Sequence, residues 1–83
     1  MSGSDYDQHL EALANPKNVR FADLLRICKD LFGEPRIAGS HHIFKVPWPG
    51  EPRVNIQPDG KNAKSYQVKQ VVQAIERLKE NDG

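Results

Sequence analysis

Two imidazoles, a hydroxyl and an ammonium fall within seven residues of this chain, Gly39-Ser40-His41-His42-Ile43-Phe44-Lys45. Histidine gives or takes a proton near neutral pH and is the side chain most often used for general acid–base work. The stretch reads as a short strand, and successive strand residues point to opposite faces. His41 and His42 therefore cannot both face a core. At least one stands on the solvent side of a sheet, and Lys45 falls on the side of His41. An exposed imidazole beside a cation suits a phosphodiester substrate. The plainer alternative is a solvated pair of histidines on a surface strand. A metal site is a poor rival, because His9 is remote in sequence and no Cys or acidic ligand lies near.

The elements that must position this strand can be read from the pattern around it. Phe21, Leu24, Leu25, Cys28 and Phe32 repeat at helical spacing, with Asn18 as a candidate cap and Gly33 at the C-terminal end. Glu34 to Ala38 is expected as a first strand, Gly39-Ser40 as the connection, and His41 to Val46 as a second strand. Pro47-Trp48-Pro49-Gly50-Glu51-Pro52 is a turn cluster that cannot sit inside a central strand. Arg53-Val54-Asn55-Ile56-Gln57 alternates as a third strand, with Val54 and Ile56 inward. Pro58-Asp59-Gly60 closes it. A second helix is expected from Ser65, its cap, to Glu80, with Val68, Val71, Val72, Ile75 and Leu78 as its stripe. Ahead of these, Asp5 to Ala14 is either a short helix capped by Ser4, with Tyr6, Leu10 and Leu13 on one face, or a disordered tail. Pro16 stops it from running on.

These patterns predict an α+β domain of two layers, α-β-β-β-α, with both helices on one face of a three-stranded antiparallel sheet. The order is that of the double-stranded-RNA-binding fold. The expected division is an N-terminal extension over 1–17, a domain over 18–80 and a tail over 81–83. With 83 residues the chain holds one domain near the lower limit for a self-sufficient core.

Charge and composition narrow the class. Net charge is +1, but its distribution is uneven. Asp5, Asp7 and Glu11 stand alone in the first fifteen residues. From Arg36 to Lys69 the chain carries Arg36, Lys45, Arg53, Lys61, Lys64 and Lys69 against Glu51 and Asp59. A local cationic surface on a near-neutral protein is a common footprint of nucleic-acid binding, though solubilising charge looks the same in sequence. No run is apolar and long enough to span a membrane, and the first residues lack the basic and apolar regions of a signal peptide. Cytoplasm is the default expectation. Cys28, the only cysteine, lies on the helical stripe and reads as a small buried apolar group.

Helix, Gly-Ser-His-His-Ile-Phe-Lys, strand, helix: in this order the chain resembles the HicA family, the small toxins of HicA/HicB toxin–antitoxin modules. The resemblance runs from about Val19 to Leu78, and Gly39-Ser40-His41 at the head of the second strand is its most specific element. It implies a double-stranded-RNA-binding-like fold that has gained a catalytic histidine. It implies a metal-independent endoribonuclease acting on mRNA, without cofactor, restrained by a HicB-like antitoxin. His41 is then the catalytic histidine, with His42 as the fallback because some members carry theirs one position later. Lys45 and Arg53 would offset charge on the transition state.

Gly39 would let the substrate backbone approach, or serve only as a turn glycine; Ser40 sits beside it. Lys61 and Lys64 are candidates for phosphate contact, since Lys61-Asn62-Ala63-Lys64 is similar to the basic motif that such domains place at a helix start. Lys69 extends that surface. Trp48 would either stack on a base or close a hydrophobic corner of the hairpin. Three readings stand together at this point: a ribonuclease, an RNA-binding module without chemistry, and a protein-interaction domain using the open sheet face.

Overall fold

A computed structural model describes residues 3–50 and 52–82, with side chains placed for 6–50 and 52–81. The expected Ser4 cap, the charge of Asp5 and the place of Glu51 in the turn fall outside the described side chains. The described chain is a small α+β domain. Its elements are α1 (Gly3–Ala12), a 3₁₀ turn (Pro16–Asn18), α2 (Phe21–Phe32), β1 (Arg36–Ala38), β2 (His41–Phe44), β3 (Val54–Ile56), β4 (Pro58–Asp59), β5 (Asn62–Ala63) and α3 (Ser65–Asp82).

β1, β2 and β3 form one antiparallel sheet in sequence order. Phe44 stands opposite Val54 and His42 opposite Ile56. Phe44, Val54 and Ile56 are buried with Leu24, Ile27 and Cys28 of α2 and Val68, Val71, Ala74 and Ile75 of α3. Both helices therefore cover the face that carries Phe44. Paired residues share a face and neighbours alternate. Arg36, Ala38, His41, Ile43 and Asn55 accordingly lie on the other, uncovered face.

The β1–β2 connection is a two-residue hairpin, since Ala38 pairs with His41. Gly39 has φ +63°, and no non-glycine residue described has positive φ, so Ser40 does not. Positive φ at the first central residue alone is the type II′ pattern, whose twist matches that of the flanking strands. Gly60 (φ +64°) repeats the device between β4 and β5, a hairpin the sequence pattern did not predict.

The strands are shorter than expected, and prolines explain their limits. Pro35 and Pro47 flank the first hairpin and offer no N–H to a ladder. After β3, the Gln57 N–H leaves the sheet and donates to Oε1 of Gln67, a buried side chain of α3, at 2.9 Å.

Asn18 does not cap α2. It belongs to the 3₁₀ turn, and Arg20 holds the capping position without a side-chain hydrogen bond. The α2 start is tied down by backbone instead. The Phe21 N–H donates to the Lys61 carbonyl (3.0 Å) and the Ala63 N–H to the Val19 carbonyl (2.8 Å). Ser65 is likewise the first helical residue rather than the cap. The N–H groups of Gln67 and Val68 both donate to the Lys64 carbonyl. Gly33 ends α2 as expected, its N–H donating to the Lys29 carbonyl at 3.0 Å.

The first segment is a helix that packs on α3. Leu13, just past its end, is buried with the main core, and Tyr6 and Leu10 pack against it. Asp7 accepts a hydrogen bond from Lys79 at 2.6 Å, and His9 Nε2 lies 3.1 Å from an Asp30 carboxylate oxygen. In each pair the carboxylate is exposed and its partner half-buried, so both contribute little stability. The apolar contact of Leu13 is what holds α1.

Burial pushes the Cys28 thiol up to about 12. The thiolate is the reactive species, so this sulfur is inert in the folded state. Native protein at pH 8 should not react with a disulfide reagent, and unfolding in urea should release one thiol. Rapid native labelling would show that α2 is not packed as described. Replacing Leu13 with Ala should cost about 2–5 kcal/mol in urea unfolding, the range for a buried leucine. A loss of only a few tenths would show α1 to be an ornament rather than part of the core.

Candidate nucleic-acid site on the open sheet face

β2 carries the two histidines to opposite sides, and the sides differ in kind. His42 shares a face with buried Phe44. Its ring meets Phe21 of α2 edge-on, with centroids 5.1 Å apart, and its Nδ1 donates to the Ser40 carbonyl at 3.3 Å. His41 stands on the uncovered face, half-exposed, with Nδ1 at 3.2 Å from Oδ1 of Asn55. An amide oxygen accepts and does not donate, so this contact places the neutral proton on Nδ1. Nε2 of His41 is left with its lone pair, the form a general base requires.

The residues beside His41 make a groove. It has a volume of about 450 Å³ and is lined by Arg36, Ile43, Arg53 and Asn55, with Val46, Trp48, Pro49 and Gly50 of the following loop forming one wall. Arg36, Ile43 and Asn55 form a single row across the three strands, because Arg36 pairs with Ile43 and Ile43 with Asn55. His41 lies two residues from Ile43 on the same face, about 6.6 Å along the strand. Among the described residues the lining includes two arginines and no carboxylate.

Among the residues expected to act, Arg53 lines the groove, whereas His41 does not and is joined to it only through its contact with the lining residue Asn55. Lys45 is exposed just beyond the end of β2 and does not line the groove. The alternation that would have aligned it with His41 stops at Phe44. Gly39 and Ser40 form the exposed turn immediately before His41. A Cβ on Gly39 would meet nothing within 4 Å, so the glycine serves the turn's positive φ and not a close approach by the chain itself.

Trp48 is buried, 6% exposed, and its indole N–H donates to the Pro52 carbonyl at 2.7 Å. The Arg77 guanidinium sits 5.2 Å from its ring centre. It closes the hydrophobic corner and is withdrawn from base stacking, which corrects its inclusion among RNA-contacting residues.

Lys61 and Lys64 do not line this groove. Lys61 lies in the β4–β5 turn against the start of α2, beside Arg20, Phe21 and Gly60, and Lys64 immediately precedes α3. Lys17 sits in an adjoining recess with Asp59, Asn62 and Ser65. Lys69 is exposed on the flank of α3 that faces α1, with Leu10, Leu13 and Glu76 around it. It belongs to neither cluster.

Sequence reasoning did not single out Asn55 or Arg36 for the site. The signal for Asn55 was present, because the alternation that turned Val54 and Ile56 inward turns Asn55 outward. Arg36 needed the register, since only the pairing with Ile43 puts it in the row. Among the described residues no group of three or more His, Cys, Asp or Glu side chains could hold a metal ion. No helix of the described residues is long and apolar enough to cross a membrane.

Compared with known proteins, the chain matches no family model, no curated protein and no solved structure.

The His41–Asn55 bond has a direct spectroscopic consequence. Long-range ¹⁵N spectra of neutral imidazole should show His41 with its proton on Nδ1. Asn55→Ala should return the ring to a mixture of tautomers while leaving the His42 signals unchanged. An unchanged His41 pattern in that variant would mean that Asn55 does not orient the ring.

Proposed function

We propose that this chain is a HicA-like toxin, a metal-independent endoribonuclease that cuts mRNA with His41 as general acid–base and is restrained by a HicB-type antitoxin in the cytoplasm. The observation that carries this reading is an oriented imidazole on an uncovered sheet face, its Nδ1 engaged by Asn55 (3.2 Å) and a groove with two arginines beside it. The succession of α2, β1–β3 and α3 supports a double-stranded-RNA-binding-like fold, to which α1 and the β4–β5 hairpin are additions.

RNA supplies its own nucleophile, so the protein needs little more than a proton acceptor and charge stabilisation. Nε2 of His41 takes the proton of a ribose 2′-OH. The 2′-oxygen attacks the adjacent phosphorus, the bond from phosphorus to the 5′-oxygen breaks, and a 2′,3′-cyclic phosphate forms. The departing 5′-oxygen takes up the proton from the imidazolium, which restores the neutral ring. Arg53, with Arg36 across the groove, offsets the charge that builds on the phosphoryl oxygens. One positioned acid–base group contributes about 10²–10⁴-fold. A donor to developing charge contributes about 10²–10³-fold. The sum describes a slow nuclease, which is sufficient for a toxin that needs only to thin its target.

A second reading has its own observation. Lys17, Arg20, Lys61 and Lys64 gather around the β4–β5 hairpin, away from His41, and would hold RNA phosphates with no chemistry involved. An RNA-binding domain of the same fold needs nothing more.

Incubation of purified protein with RNA in EDTA separates the two. The nuclease reading expects cleavage by the wild type and by His42→Ala, and a loss of about 10²–10⁴-fold in His41→Ala. RNA carrying a 2′-deoxyribose at the scissile position should resist. Equal cleavage by wild type and His41→Ala, or binding without cleavage by any form, would overturn the catalytic role.

A further inference from the structure

We infer that β1 is the seam of a two-fold dimer, in which the β1 strands of two copies pair antiparallel about Ile37 and each copy's Arg36 enters the His41 row of the other. The seam follows from the strand edge alone. The catalytic use of the shared arginine rests on the nuclease reading above.

β1 is the outermost strand of its sheet, and all three of its residues are exposed. Ala38 and His41 close a two-residue hairpin, and the closing pair of such a hairpin exchanges both of its hydrogen bonds. Alternation along the ladder then turns the N–H and C=O of Arg36 and Ala38 toward β2. It leaves the Pro35 carbonyl, the N–H and carbonyl of Ile37 and the Gly39 N–H pointing outward. Ile37 is itself 56% exposed, one of two large apolar side chains so placed among the described residues. Proline commonly blunts an edge by withholding an N–H. Here the withheld donor is one that self-pairing does not use.

Symmetry is what commits this edge to a second copy. The outward groups alternate acceptor, donor, acceptor, donor from Pro35 to Gly39, and the reversed strand of a second copy presents the complement. A two-fold axis through Ile37 sets its N–H against the Ile37 carbonyl of the copy, and the Pro35 carbonyl against the Gly39 N–H, each contact made twice. Ile37 then meets its copy as an apolar cross-strand pair. Arg36 falls opposite Ala38 of the copy and not opposite another cation. The two Arg36 side chains are diagonal neighbours on the open face, an exposed and screened repulsion that keeps the dimer weak. An unrelated extended peptide meets the same backbone groups, but only the copy brings this matched set of side chains.

The axis stands perpendicular to the sheet, so like faces join and the two uncovered faces become one surface. Arg36 of the second copy lies opposite Ala38, and Ala38 lies opposite His41. The incoming arginine is therefore in the His41 row, two strand spacings or about 9.5 Å away, with only the Ala38 methyl between. A guanidinium and an imidazole extending from those positions span one phosphate. Within a single chain Arg36 lines a groove that His41 does not, and Lys45 stands beyond the end of β2. The second copy thus supplies a cation that the His41 row lacks.

The seam is tested on the full chain by cross-linking. In a hydrogen-bonded antiparallel pair the Cα atoms are about 5.5 Å apart, within disulfide reach. Ile37→Cys should therefore oxidise to a covalent dimer, and Lys45→Cys, exposed but off the seam, should do so about tenfold more slowly or less, since its sulfurs are not held in disulfide geometry. Cys28 is buried and does not compete. Sedimentation of the wild type from micromolar to millimolar concentration should show a monomer–dimer equilibrium. It should vanish in Ile37→Pro, which deletes an outward N–H that β2 does not use, and in Ile37→Lys, which charges the seam. The Ile37 and Gly39 amide signals should move with concentration more than those of Arg36 and Ala38. A wild type that stays monomeric at millimolar concentration, or equal cross-linking at both cysteine positions, would overturn the seam.

Cleavage by mixed variants tests the shared arginine. His41→Ala and Arg36→Gln should each lose about 10²-fold or more alone. Mixed together they should recover at least about tenfold, because only a mixed dimer sets an intact His41 beside an intact Arg36. No recovery, where the wild type both dimerises and cleaves, sinks the shared arginine and leaves the nuclease. Dimerisation through β1 by a wild type that never cleaves sinks the nuclease and leaves the seam.

Discussion

Phe44 decides which way everything on the central strand faces. It is buried, 4% exposed, between the sheet and α2, where its ring lies 6.4 Å from that of Phe32. Full burial of such a side chain is worth about 1.5–3 kcal/mol, and a one-residue slip would place it in water. The same slip would exchange His41 for His42 on the open face. A small apolar anchor thus selects the imidazole that meets solvent. Pairing then does the rest, because Val54 opposite Phe44 and Ile56 opposite His42 put Asn55 outward, within reach of the His41 ring.

The opposite end of the molecule is organised by backbone rather than by side chains. The β4–β5 hairpin reaches from the end of β3 to the start of α2 and back to α3, with an isolated bridge between Arg20 and Asn62. Its hydrogen bonds to Val19 and Phe21 do for α2 what a capping side chain would otherwise do. Cations follow as a result. Arg20, Lys61 and Lys64 are carried to two helix starts, where they oppose the helix dipoles and add nothing to helix stability. Their placement costs the fold a little and leaves a cationic surface around the hairpin. Gln67 performs a related duty inside, since its buried amide oxygen satisfies the Gln57 N–H where β3 runs out.

These devices matter because the core is small. Leu13, contributed by the segment after α1, is among the fully buried side chains, so of the two forms expected for the extension over 1–17, short helix or disordered tail, the described residues take the helix, and it shares the core. The open face is kept free of bulky apolar groups apart from Ile43, and the groove is bordered by a turn whose tryptophan is locked inward. Stability and accessibility are divided cleanly between the two sides of one sheet. Ile37 marks the border: it shares the helix-side face with His42 but lies on the edge strand, beyond the cover of the helices, and is 56% exposed.

Sequence alone determined the parts whose signal is local. The periodicity from Phe21 to Phe32 and from Val68 to Leu78 specifies two helices, and the alternation from Arg53 to Gln57 specifies a strand with Val54 and Ile56 inward. Glycine and proline positions mark the turns, and strand geometry separates His41 from His42. Tertiary structure decided what depends on partners distant in the chain. Helix starts at Arg20 and Lys64 were set by a hairpin some forty residues from α2, which local capping chemistry at Asn18 or Ser65 does not foresee. The row Arg36–Ile43–Asn55 required the register of two strand pairs, and the withdrawal of Trp48 required the Pro52 carbonyl and Arg77 to meet it. A repeat within one segment is visible in the residues themselves. A contact between segments follows only once burial has chosen which faces meet.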